Sequence, residues 1–164
     1  MVRKLKEIWA DSAKRFVILA FVFGTMFSFG IIPWQTPDEY SHLNMIGQEI
    51  KNEKLAPTFV SEMNLEQDAI RRNPEVSVNH ALLKQAMFHP AQYSRNDVMA
   101  HGITIGCIKH LPAIIGIQAG VMLHLPVYWV MQLGELFALS FYVFVGYWTI
   151  QLAPAKKRVF EVVM

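Results

Sequence analysis

Apolar residues gather into long runs at the two ends of this chain, with a polar stretch between them. Residues 16–34 read FVILAFVFGTMFSFGIIPW and carry no charge. At about 1.5 Å per residue, a helix of that length crosses the ~30 Å hydrocarbon layer of a bilayer. The run therefore predicts a first transmembrane helix. Residues 127–152, VYWVMQLGELFALSFYVFVGYWTIQL, are longer and hold a single charge, Glu135. They predict a second. Residues 111–125, LPAIIGIQAGVMLHL, are apolar but too short to span. They read as a juxtamembrane or re-entrant helix, closed by His124 and Pro126.

The intervening residues 35–110 start with a helix signal. Thr36 suits an N-cap, Pro37 the first helical position, and Glu39 completes a T-x-x-E capping box. Leu43, Ile46 and Ile50 follow at helical spacing, which predicts a short amphipathic helix lying on the membrane surface. Residues 56–102 hold polar clusters without a strong period and read as loops with one or two short helices. There is no internal repeat and no low-complexity tract.

Charge orients these elements. Hydrophobic residues make up 53% of the chain and charged ones 17%, against about 25% in an average soluble protein. Arg3, Lys4, Lys6, Lys14 and Arg15 precede the first run, and Lys156, Lys157 and Arg158 follow the last. Positive flanks favour the cytoplasmic side. Residues 1–15 are thus expected in the cytoplasm, 35–110 outside it, and the basic loop 153–158 back in the cytoplasm. If 111–125 crossed the membrane, that loop would land outside. Residues 159–164 could begin a third span. A cleaved signal peptide is the competing reading of the first run, but no A-x-A-like site follows it. Trp9 and Trp34, and the pairs Tyr128–Trp129 and Tyr147–Trp148, suit interfacial aromatic belts. The expected fold class is an all-α integral membrane protein: two transmembrane helices and an external loop with short juxtamembrane helices. A net charge of +2 without a long basic run argues against nucleic acid as a partner.

Candidate chemistry centres on Pro37-Asp38-Glu39 with His42. Asp38 and His42 are i, i+4, and Glu39 and His42 are i, i+3, so they share a helix face. Two carboxylates and an imidazole at an interface could supply a general base or, through Asp38 and His42, hold a divalent cation. The structural alternative is that Glu39 completes the cap and Asp38 faces the helix macrodipole. Glu135 is costly inside a span; it either lines a protein or water cavity, or snorkels toward the outer interface. His80, His89, His101, His110 and His124 show no zinc spacing, and Cys107, the single cysteine, has no internal disulfide partner. Gly24, Gly30, Gly116 and Gly120 suit helix packing, and Gly116-x-x-x-Gly120 suits a close helix contact.

A first span followed by P-D-E-x-x-H resembles the bacterial membrane proteins grouped as domain of unknown function 2142. Those in turn resemble the GT-C superfamily of lipid-phosphosugar-dependent glycosyltransferases. The resemblance continues through Lys109-His110-Leu111-Pro112-Ala113-Ile114-Ile115-Gly116, Leu133-Gly134-Glu135-Leu136-Phe137 and Leu152-Ala153-Pro154. It implies that Asp38 is a catalytic acidic residue near the acceptor and the sugar–lipid phosphate, acting as base or through a metal. At Glu135 the family pattern has arginine, and an anion there cannot bind a phosphate. GT-C folds need further spans and later donor-binding loops, so a chain of this length is expected to be inactive alone, as a truncated frame or one piece of a split protein. The function implied is the N-terminal part of a GT-C-like glycosyltransferase of the bacterial cell membrane. It would modify cell-surface polysaccharide from a polyprenyl-phosphate-linked sugar, with membrane lipids and further membrane spans or subunits as partners. The alternative is a small non-catalytic membrane subunit for assembly or regulation.

Overall fold

The structure, a computed structural model, describes residues 11–30, 39–62, 87–88 and 91–152. Every regular element among them is helical. In chain order these are α1 (Ser12–Gly30), α2 (Glu39–Glu49), α3 (Leu55–Glu62), α4 (Arg95–Val98), a 3-10 turn (Ile105–Lys109), α5 (Leu111–Met122) and α6 (Val127–Leu152). Two of them, α1 and α6, are long and apolar enough to cross a membrane. The predicted Thr36–Pro37 cap, Trp9, Trp34 and the 153–158 basic loop lie outside the described residues. Contacts divide the chain into two units, Met1–Phe27 with Leu139–Met164, and Ser28–Ala138.

In the first unit, α1 begins four residues before the predicted boundary because Asp11 caps it. Its Oδ1 accepts the backbone N–H groups of Ala13 at 3.0 Å and Lys14 at 3.2 Å. The Lys14 amide holds the Asp11 carboxyl below the usual aspartate range, and the Lys14 ammonium adds to this. The ionised cap is therefore fully present at neutral pH and weakens only as pH falls through that lowered value. Phe16 packs on Tyr142 with ring centroids 6.0 Å apart, and Gly24 lies against the Leu139 side chain. Rising numbers on α1 meet falling numbers on α6, so the pairing is antiparallel. Ile18, Leu19, Phe21, Val22, Phe23, Met26 and Phe27 remain 40% to 64% exposed.

The second unit has a core of its own. Leu43, Ile46 and Ile50 meet Leu55, Phe59 and Val60 of the α3 region, Tyr93, Val98 and Cys107, Ile114, Ile117 and Val121 of α5, and Val127, Tyr128, Val130 and Met131 of α6. This corrects two expectations. The apolar stripe of α2 faces protein rather than a membrane surface, with Leu43, Ile46 and Ile50 buried and α3 and the 3-10 turn packed on the helix. Tyr128 is 5% exposed and belongs to the core rather than to an aromatic belt, and the Trp129 indole donates to the Met87 carbonyl at 3.0 Å.

Helix ends in this unit are closed by polar links. Lys51 takes φ 55°, and the Asn52 N–H reaches back to the Gly47 carbonyl at 2.7 Å. The carbonyls of Glu49 and Ile50 then accept the backbone of Thr104, His101 and Gly102 at 2.9 to 3.2 Å. That seats residues 101–104 on the end of α2. Gln118 accepts the Ala100 N–H at 2.8 Å and donates to the Val98 carbonyl at 3.2 Å, tying the same segment to α5. At the other end of α5, His124 takes φ 54° and the Leu125 N–H bonds the Gly120 carbonyl at 3.1 Å. The chain then reverses into α6. The α5–α6 hairpin is close at the expected glycines: a Cβ on Gly116 would strike the Leu133 carbonyl, and one on Gly120 would lie 3.0 Å from Val130 Cα.

Candidate functional site

The predicted cluster at the start of α2 is only partly in view. Asp38 and the Glu39 side chain lie outside the described residues, while His42 is exposed on α2. His42 is not alone there. Its ring stands 6.0 Å from that of His110, edge to face. His110 Nδ1 is 2.9 Å from Glu49 Oε2, and their side chains are only 17% and 12% exposed.

The local sequence explains how these groups meet. His42 and Glu49 are seven residues apart on α2, two turns along one face. Leu43, Ile46 and Ile50 hold the neighbouring face in the core. The Thr104 N–H on the Glu49 carbonyl starts the return of the chain. The 3-10 turn then delivers His110 at the N-cap of α5. With its Nδ1 on a carboxylate, the neutral imidazole presents Nε2 as a lone pair. No described residue bonds that nitrogen.

A carboxylate set against an imidazole is an arrangement suited to proton transfer. Among the described residues no group of three or more His, Cys, Asp and Glu side chains is arranged to hold a metal. The divalent cation expected at Asp38 and His42 turns on Asp38, which lies outside the described residues.

A second polar cluster lies between α1 and α6, within the second unit. Ser28 Oγ stands 2.9 Å from Gln132 Oε1 and 2.5 Å from Glu135 Oε2, and Gln132 Nε2 donates to the Ser28 carbonyl at 3.0 Å. Gln132 is 1% exposed. Glu135 thus faces protein, and its described partners are neutral rather than cationic. Serine has one hydroxyl hydrogen for two acceptors, so a hydrogen-bond donor at position 135 would complete the cluster.

Sequence reasoning missed Glu49, His110, Ser28 and Gln132 as partners. The i, i+7 relation of His42 and Glu49 was readable along α2. The 61-residue separation of Glu49 and His110 left no local signal.

Fold and site together define a helical protein with two helices of membrane-spanning length and a carboxylate–imidazole pair. No protein-family model, curated protein or solved structure matches the chain.

Proposed function

We propose that this chain supplies the acceptor-side portion of a GT-C-like membrane glycosyltransferase that decorates cell-surface polysaccharide from a polyprenyl-phosphate-linked sugar. The observation that carries the reading is the placement of acid–base groups. The first helix after the membrane-length α1 bears His42 and Glu49, and the turn before α5 brings His110 to them.

Two further features support a membrane setting with both basic ends in the cytoplasm. Antiparallel pairing in the first unit sets the Phe16 end of α1 beside Gly146, near the far end of α6. Ile103, Ile105 and Ile108 are 63%, 92% and 72% exposed, and Leu111 and Ile115 also stand open. Soluble surfaces rarely leave such a row uncovered, so the 3-10 turn and the start of α5 suit the lipid interface.

The test joins this segment to the further spans of a GT-C enzyme and measures surface-glycan transfer alongside membrane abundance. Asp38→Asn keeps size but removes the charge a base or metal ligand needs, a loss of about 10²–10⁴ in rate. Glu39→Gln retains the capping box and should cost much less. Transfer at the parental rate by Asp38→Asn would reduce Asp38 to a helix-dipole residue and end its catalytic assignment.

A further inference from the structure

We infer that Glu49 and His110 form a base dyad, in which His110 Nε2 takes the proton of a hydroxyl group docking beside His42. The identity of that hydroxyl, a sugar acceptor, rests on the glycosyl-transfer reading above; the dyad itself does not.

The geometry is that of an oriented general base. The 2.9 Å bond from His110 Nδ1 to Glu49 Oε2 fixes the ring, and the carboxylate is largely buried, so the pair is held rather than flickering at a surface. Glu49 is fixed twice over. It ends α2, whose Leu43 and Ile46 are in the core, and its carbonyl holds the Thr104 amide. His110 is fixed by its place between the 3-10 turn and α5. The imidazolium formed on proton uptake would sit against a carboxylate that is already in position, so little reorganisation accompanies the step.

In the transfer itself, the acceptor O–H bond breaks and its proton moves to His110 Nε2. The freed oxygen pair bonds the sugar anomeric carbon. The bond from that carbon to the donor phosphate breaks, and the polyprenyl phosphate leaves with the electron pair. The proton on His110 then passes to the leaving phosphate or to water. Glu49 touches no reacting atom and is a positioning residue.

The experiment uses the full chain in nanodiscs, with nitrogen-15-labelled histidine. The His110 ring should show hydrogen on Nδ1 and a bare Nε2, and Glu49→Gln should alter that signature. Diethyl pyrocarbonate, which attacks an accessible imidazole lone pair, should modify His110, and Glu49→Gln should slow the modification. A His110 that stays unmodified, or one whose signature and rate ignore Glu49→Gln, overturns the dyad. In the transfer assay His110→Gln should lose about 10²–10⁴ in rate at normal abundance. Glu49→Gln should lose less, and Glu49→Asp should recover part of that loss. Parental transfer by His110→Gln overturns the base role. Should the unmutated segment transfer nothing while His110 keeps its Glu49-dependent reactivity, the glycosyl-transfer reading fails and the dyad stands.

Discussion

At Glu135, a side chain links two apolar helices through Ser28. Its carboxyl contacts Ser28, which also bonds Gln132 through both hydroxyl and carbonyl. Hydrogen bonds between helices in an apolar setting contribute about 0.6–2 kcal/mol. Glu135→Leu should therefore lower thermal stability in detergent by an amount in that range. Glu135→Gln brings an N–H donor to the serine oxygen, and its stability should equal or exceed the parent's. Equal melting temperatures for the leucine and glutamine variants would show that the contact contributes nothing. Gln132 stands in the same run as Glu135, but Ser28 belongs to a different one, so their meeting was not visible in the pattern of residues 127–152.

At the scale of elements, the α5–α6 hairpin is set by what its glycines lack. Gly116 lies against the backbone of Leu133 and Gly134, which cannot swing aside, whereas Gly30 at the end of α1 has open space where a Cβ would go. Gly116→Ala should destabilise the second unit by about 1–3 kcal/mol, as overpacking does. Gly30→Ala should be neutral or gain up to about 1 kcal/mol, since alanine suits a helix better than glycine. Parallel unfolding measurements on the two variants check this, and equal melting temperatures would contradict the close contact. The G-x-x-x-G spacing pointed to Gly116 correctly. It could not show that Gly30, equally apolar in its surroundings, meets nothing.

For the whole molecule, the testable quantity is sidedness. Basic residues on both flanks and the short length of α5 predict that residues near Gln67 lie outside and those near Lys157 in the cytoplasm. Single cysteines introduced at the two positions report this in intact cells with an impermeant thiol reagent. Cys107, the native cysteine, is buried, and Cys107→Ser removes its background. Labelling of the Lys157 position from outside would refute the two-span arrangement. The reading of α2 as a surface helix is the counter-lesson at this scale. An apolar stripe at i, i+3, i+7 declares that something must cover it, and α3 and the 3-10 turn answer that need here.

What the sequence determined by itself was the set of elements. Long uncharged runs, a run too short to span and a three–four periodicity each state a helix length and an apolar face. Those are properties of local composition and geometry, so α5 and α6 fall close to their expected bounds. Tertiary structure alone decided which faces meet. The Glu49–His110 pair, the Ser28–Gln132–Glu135 cluster and the burial of Tyr128 join residues whose separation along the chain carries no period. Their meeting is set by where helices stop: at Lys51 and His124, whose left-handed backbone turns the chain back, and at the carbonyls of Glu49 and Ile50, which receive residues 101–104. A pattern of hydrophobicity specifies that a face is buried; only the packed chain specifies against what.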